Sequence, residues 1–232
     1  MSGRRIAAFD FDGTLTRRDT LVPFLARACG TASLSRAVRQ VAPAAVRART
    51  TRATGQLHHR DATKSALLHH LLAGRSDEWL AAQGRSYATT LGAKLRPEMI
   101  EQVRWHRDAG HELIIVSASL RTYLAPFADS YGFDQVIAVE LEADDDGILT
   151  GAMRGPNVRG EEKAVRLRRW LGHEPPEMLW AYGNSSGDTE LLAMADVPVW
   201  VAGRQRSAQD ANDRPAVKRG RSFSGPANRV IS

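Results

Sequence analysis

The chain opens on a short apolar run, Ile6-Ala7-Ala8-Phe9, that stops at Asp10-Phe11-Asp12-Gly13-Thr14. Consecutive apolar residues followed by carboxylates predict a buried strand with a polar C-terminal end. From Leu21 to Leu95 the texture changes to Ala, Arg and Leu. Leu34, Val38 and Val41 keep an i, i+4, i+7 rhythm, and Leu67, Leu68, Leu71 and Leu72 make a second stripe. This stretch is predicted to be a small helical bundle without strands, punctuated at Pro43 and Gly55.

Pro97 then takes the first helical position, which suits its fixed φ, and the pattern runs to about Asp108. Leu113-Ile114-Ile115-Val116 reads as a fully buried strand ending at Ser117. A helix is expected from Arg121 to Ser130, stopped by Gly132, and a strand from Val136 to Val139. Asp144-Asp145-Asp146-Gly147 predicts a hairpin turn between Val139–Leu141 and Ile148–Thr150. Glu161 to Leu171 reads as a helix, Met178 to Tyr182 as a strand, Glu190 to Ala195 as a helix, and Val197 to Val201 as a last strand. Strands alternate with helices and end in polar groups. That order implies an open parallel α/β sheet with its ligands beyond the carboxyl ends of the strands.

Composition narrows the class. The 232 residues are 43% hydrophobic and 25% charged, which argues against wholesale disorder. A lone Cys29 excludes an intramolecular disulfide framework and a cysteine-based structural zinc site. No run is long enough to span a membrane, and the first apolar stretch is too short for a signal peptide, so a cytoplasmic protein is expected. The net charge of +6 is unevenly distributed: +8 over residues 20–95, −8 over 96–203 and +5 over 204–232. The last segment lacks periodicity and is expected to be a disordered tail. The body is near neutral, so specific nucleic-acid binding is not expected from charge alone.

Asp10 and Asp12 lie two residues apart at a strand end, where i and i+2 side chains share a side. Two neighbouring anions favour a cation, and oxygen-only ligands favour Mg²⁺, which often bridges to a phosphate. A solvated turn is the alternative for that pair taken by itself. Ser117 offers a hydroxyl at a second strand end, or else caps the next helix. Lys163 begins a helix in Gly160-Glu161-Glu162-Lys163, and Asn184 and Asp188 stand in Gly183-Asn184-Ser185-Ser186-Gly187-Asp188. Four weak signals in this order, each at a strand end or helix start, are jointly strong.

Taken together, these motifs resemble those of the haloacid dehalogenase (HAD) superfamily, in its IB branch of phosphoserine-phosphatase-like enzymes. The likeness covers most of residues 6–202: Phe9-Asp10-Phe11-Asp12-Gly13-Thr14-Leu15, then Ile114-Ile115-Val116-Ser117-Ala118-Ser119, then Lys163, then Gly183 to Asp188. It implies a Rossmann-like catalytic core over residues 1–19 and 96–203, a small C1-type helical cap over 20–95, and a basic tail over 204–232. It implies an Mg²⁺-dependent phosphomonoester hydrolase in which Asp10 forms an aspartyl-phosphate and Asp12 is general acid and then base. Thr14, Ser117, Ala118 and Lys163 would hold the phosphate, with Asp19 near the substrate or capping the helix before Leu21. Asp10, Asp12 through its carbonyl, Asn184 and Asp188 would hold the metal. Many relatives have aspartate where this chain has Asn184, so Asp188 is expected to compensate by direct ligation.

The substrate is expected to be a small phosphorylated metabolite or, given the basic, Leu-rich cap, a lysophospholipid-type phosphate such as lysophosphatidate or phosphatidylglycerophosphate. A non-catalytic binding protein that retains the fold is the rival from another class. Arg47, Arg49, Arg52, Arg60 and Lys64 are candidates to meet an anionic substrate. His58-His59 and His69-His70 read as solvated pairs rather than metal ligands, and Trp105 and Trp170 as packing between helices and sheet. Lys218-Arg219-Gly220-Arg221 reads as a solvated basic stretch.

Overall fold

The computed structural model describes residues 3–50 and 56–201, with the side chains of residues 43–50 and 56–60 left out. Gly55, Arg52 and the basic stretch over 204–232 lie outside the described residues, as do the side chains of Pro43, Arg47, Arg49, His58, His59 and Arg60.

Five parallel strands form one sheet in the order β3-β2-β1-β6-β7. They are β1 (Arg5–Phe9), β2 (Glu112–Leu120), β3 (Gln135–Val139), β6 (Met178–Gly183) and β7 (Val197–Trp200). Chain order runs outward from β1 in both directions, so the topological switch falls between β1 and β6, paired from Arg5 with Met178 to Phe9 with Tyr182. Ile6 to Phe9 and Leu113 to Val116 are all buried, which is why these strands read as unbroken apolar runs. β2 is longer than the sequence suggests. Its pairing with β3 shifts register between Val116 and Leu120, and the strand carries Ser117, Ala118 and Ser119 beyond the apolar run.

After β1, and before the chain returns to the sheet, come α1 (Leu21–Cys29), α2 (Thr31–Thr50), α3 (Gln56–Leu72) and α4 (Asp77–Ala88), then a 3-10 turn over Leu91–Lys94. Pro43 does not divide this bundle as expected: α2 runs through it from Thr31 to Thr50. Ser76 caps α4, its hydroxyl accepting from the Trp79 N–H at 3.2 Å. Gly84 on α4 lets that helix cross α6 (Arg121–Tyr131) closely, since a Cβ there would stand 2.2 Å from the Thr122 carbonyl oxygen.

The remaining helices flank the sheet: α5 (Pro97–Asp108), with Pro97 at its start, α7 (Glu161–Leu171) and α8 (Thr189–Met194). Gly132 ends α6 in the left-handed region with φ 67°. The predicted hairpin forms with shifted boundaries, β4 (Leu141–Ala143) against β5 (Leu149–Met153), while Val139 stays in the main sheet. The hairpin docks on the inserted helices. Backbone bonds run from Gly74 N to Leu149 O, from Leu149 N to Arg75 O and from Asp77 N to Gly147 O. Trp105 packs against His106, His111 and Trp180, and Trp170 lies under the Arg4 guanidinium.

A polar chain crosses the core beneath the sheet. His106 and His111 face each other Nδ1 to Nδ1 at 2.8 Å, and His106 Nε2 lies 2.8 Å from the Tyr182 hydroxyl. One Nδ1 must donate and the other accept. Burial, reinforced by His111, pulls His106 down to about 3, so its ring is neutral.

Among the described residues no helix is long and apolar enough to cross a membrane.

Candidate active site

Adjacent strands β1 and β6 both end in polar loops, which brings Asp10 beside the Asn184–Asp188 segment. The Asp10 N–H donates to the Tyr182 carbonyl at 2.9 Å, extending the β1–β6 pairing to the carboxylate itself. The chain then turns sharply through Phe11–Leu15 with Gly13 at φ 84°. A Cβ at Gly13 would stand 2.1 Å from Asn184 Nδ2. Glycine is therefore required twice, for the backbone conformation and for the close approach of Asn184.

Lys163, two residues into α7, is 2% exposed and points its ammonium between two carboxylates. Its Nζ donates to Asp10 Oδ1 at 2.6 Å and to Asp188 Oδ1 at 2.6 Å. The remaining oxygens are also held. Thr14 Oγ1 donates to Asp10 Oδ2 at 2.9 Å, while Asp188 Oδ2 accepts from Asn184 N, Ser185 N and Ser185 Oγ. One cation thus serves two anions in a dry pocket. Burial first, and then repulsion from Asp188, push the Asp10 carboxyl up. Burial also disfavours charge on Asp188, but Lys163 and the Ser185 donors outweigh it and hold that carboxyl low.

Asp12 faces a different set of donors. Its Oδ1 accepts from the Thr20 N–H at 2.8 Å and the Thr20 hydroxyl at 2.6 Å, and its Oδ2 from the Ser119 hydroxyl. Burial, with repulsion from Asp19 next, pushes the Asp12 carboxyl up to about 7 in spite of those donors. Thr20 itself is gripped from two sides: Tyr87 on α4 donates to its carbonyl at 3.0 Å, and the Tyr123 hydroxyl lies 3.1 Å from Thr20 Oγ1. Lys94 in turn donates to Tyr87 at 2.6 Å. Ser117 Oγ accepts from the Ser119 N–H at 3.0 Å, at the end of the apolar part of β2.

The inserted helices reach the same crevice through Lys64 on α3. Its Nζ donates to the Ala118 carbonyl and, at 2.6 Å, to Asn157 Oδ1, whose amide donates to Asp61 at 2.6 Å. Burial pulls Lys64 down to about 8, with Asp61, Asp12 and Asp19 opposing that shift.

Of the sequence candidates, Asp10, Asp12, Thr14, Ser117, Ala118, Lys163, Asn184 and Asp188 line or adjoin this crevice. Thr14 spends its hydroxyl on Asp10. Asp19 is exposed, and its Oδ2 accepts from the Val22 N–H at 3.0 Å, as a cap for α1. Thr20 and Ser119 were given no role by the sequence. Ser119, a hydroxyl two residues beyond Ser117 on the same strand, was the one with a local signal. His69 and His70 are exposed on α3, with His69 Nδ1 3.1 Å from the Thr150 carbonyl.

Among the described residues no three or more His, Cys, Asp or Glu side chains converge as a metal cluster. Two carboxylates, Asp10 and Asp188, do meet here, and paired carboxylates beside neutral oxygens are donors of the chemistry that a hard divalent cation takes.

The fold and this crevice define a parallel α/β hydrolase with its acidic site at the topological switch. Residues 7–193 match the haloacid dehalogenase-like hydrolase family, to which the chain belongs. Protein CicA of Caulobacter vibrioides is 36% identical over 192 residues, covering 82% of this chain and 83% of its own. The phosphoserine phosphatase of Halobacterium salinarum is 28% identical over 199 residues, covering 84% and 85%. A Bordetella pertussis protein of unknown function has a solved structure with a TM-score of 0.67 at 25% identity, covering 87% and 90%. A phosphoserine phosphatase solved as its phospho-aspartyl intermediate analogue gives 0.57 at 18% identity, covering 87% of each chain.

Proposed function

We propose that this chain hydrolyses a small phosphate monoester through an aspartyl-phosphate on Asp10. The observation that carries the reading is the bridging of Asp10 and Asp188 by the buried Lys163 ammonium. Residues 1–19 and 96–203 act as the catalytic unit and residues 20–95 as its cap, the two meeting where Lys64 reaches Ala118 and Asn157.

An Asp10 carboxylate oxygen attacks phosphorus, and the bond to the substrate alcohol breaks. Asp12 gives its proton to the departing oxygen, a role suited to a carboxyl that titrates near neutrality. A water then attacks the aspartyl-phosphate, Asp12 takes the water's proton, and inorganic phosphate leaves with Asp10 restored. Lys163 keeps Asp10 in place and neutralises the charge that builds on the equatorial oxygens, assisted by the Ser117 hydroxyl and the Ala118 N–H. Mg²⁺, held by Asp10, Asp188, the Asp12 carbonyl and Asn184, supplies further positive charge at the phosphoryl group when bound. Asp19 caps α1 through the Val22 N–H, and its charge helps to raise the Asp12 carboxyl.

The named relatives include a phosphatase of a small metabolite, which favours such substrates over lysophospholipids. The test is hydrolysis of p-nitrophenyl phosphate with and without Mg²⁺, for wild type and Asp10→Asn. The reading requires Mg²⁺-dependent turnover by wild type and at least a thousandfold loss in the variant. Wild-type turnover by Asp10→Asn would overturn the mechanism, and inactivity of both on all phosphate esters would point to a retained fold without catalysis.

A further inference from the structure

Tyr123 sits in the first turn of α6 and is entirely buried. Two rings from the inserted helices close on it: Phe24 of α1, with centroids 4.9 Å apart, and Tyr87 of α4, at 5.4 Å. Burying a phenol is unfavourable unless its hydroxyl finds a partner. Here that hydroxyl lies 3.1 Å from Thr20 Oγ1, which is itself fully buried.

The hydrogens available fix the direction of this bond. A threonine hydroxyl has one hydrogen to give and two lone pairs to offer. Thr20 gives its hydrogen to Asp12 Oδ1 at 2.6 Å, so towards Tyr123 it can only accept. Ser119, which also bonds with the Tyr123 hydroxyl, spends its own hydrogen on Asp12 Oδ2 and is likewise an acceptor. Burial pushes the Tyr123 hydroxyl well above the usual phenol range, so it keeps the hydrogen that this role requires.

The backbone of Thr20 is held by other means. Tyr87 donates to its carbonyl at 3.0 Å, steadied by Lys94 at 2.6 Å, and the Thr20 N–H donates to Asp12 at 2.8 Å. What Tyr123 adds is control of the side chain. With one lone pair engaged by the phenol, the Thr20 hydrogen is left to point at Asp12. Without the phenol hydroxyl that lone pair would be buried and unmet, and Thr20 has no exposed surface through which water could meet it.

We infer that Tyr123 is a positioning residue for Asp12: by donating to Thr20 Oγ1 it directs the Thr20 hydroxyl onto Oδ1, and so leaves Oδ2 as the oxygen that exchanges a proton with the departing alcohol. The inference rests on the phosphatase reading above. It extends that reading from the residue that moves the proton to a residue on another element that orients it without touching the substrate.

Tyr123→Phe tests it, since the variant loses the hydroxyl and keeps the ring. Its effect is read as kcat/KM on benzyl phosphate, whose alcohol needs a proton to leave, against p-nitrophenyl phosphate, whose leaving group needs little. Benzyl phosphate should lose roughly five- to tenfold and p-nitrophenyl phosphate less than about twofold, the scale of one hydrogen bond acting on the proton donor. Both esters are assayed on one preparation, so an unfolded fraction lowers the two rates alike and cancels from their ratio. Thr20→Val and the double variant complete a cycle: with the Thr20 hydroxyl gone, Tyr123→Phe should cost less than about a further twofold on benzyl phosphate. Equal losses on the two esters, or losses that multiply in the double variant, would overturn the positioning role. Wild-type turnover of p-nitrophenyl phosphate without any of benzyl phosphate would also overturn it, leaving the phosphatase reading standing. No Mg²⁺-dependent turnover of either ester rejects that reading and the inference with it.

Discussion

Thr20 gives Asp12 two hydrogen bonds at once, from its N–H at 2.8 Å and its hydroxyl at 2.6 Å, both to the same oxygen, Oδ1. With the lone pairs of Oδ1 engaged, a proton on this carboxyl belongs on Oδ2, which faces Ser119. The first residue before the inserted helices thereby decides which oxygen of the proposed acid carries its proton.

Thr20→Val should leave the N–H bond and remove the hydroxyl. Turnover of an alkyl phosphate should fall roughly ten- to hundredfold, a part of the roughly hundred- to ten-thousandfold that a positioned acid–base group contributes. Hydrolysis of p-nitrophenyl phosphate, whose leaving group needs little protonation, should fall less. Thr20→Ser should restore most of the alkyl phosphate rate. Equal losses on both esters would assign Thr20 a purely structural part.

Removing the cation from the Asp10–Lys163–Asp188 arrangement should be costly. Lys163→Met leaves two buried carboxylates facing each other, and breaking a buried pair in this way costs about 3–5 kcal/mol. Urea unfolding at neutral pH measures that loss. Because the carboxylates can take up a proton instead, the deficit should shrink as the pH falls towards 5.

Gly13→Ala should be damaging out of proportion to its single added methyl. The position needs φ 84°, at a cost of about 1–2 kcal/mol for an L-residue, and the new Cβ would stand 2.1 Å from Asn184 Nδ2. The expected result is a fall of several degrees in Tm together with at least a tenfold loss of phosphate ester hydrolysis, since the displaced Asn184 adjoins Asp188 Oδ2. A variant with wild-type Tm and rate would show that the turn relaxes freely.

His106 should make the protein acid-sensitive at a point away from the crevice. Its pKa is depressed to about 3 in the folded protein, against about 6.5 when unfolded, so the unfolded chain binds the extra proton. The stability this neutral ring allows is therefore complete above about pH 6.5 and is lost as pH falls from there towards 3. By pH 5 the loss is about 2 kcal/mol. Urea titrations at pH 5, 6.5 and 8 should show this slope in wild type and a shallower one in His106→Gln.

Much of the fold could be read from residues that act locally. The bounds of α7 came out as Glu161–Leu171 because Gly160 and Gly172 bracket it, and the apolar runs of β1 and β2 left no other element for those residues. Asp10, Lys163 and Asp188 were legible because each sits at a strand end or helix start with a polar side chain the core cannot use. Thr20 was not, since its partners Tyr87 and Tyr123 lie 67 and 103 residues away. Pro43 misled because a proline signals a helix end only by local preference, and α2 runs through it.

The hairpin β4–β5 has a mechanical consequence for how anything enters the crevice. The inserted helices leave and rejoin the sheet where Thr16 pairs with Leu95, so those two strands of chain alone would act as a door hinge. The hairpin grips the same helices at Gly74, Arg75 and Asp77, and α4 lies against α6 at Gly84. Three separated attachments oppose a swing about the Thr16–Leu95 pairing alone. Lys64, which holds both the Ala118 carbonyl and Asn157, adds a fourth tie, so that the mouth of the crevice is framed by the inserted helices and the sheet together.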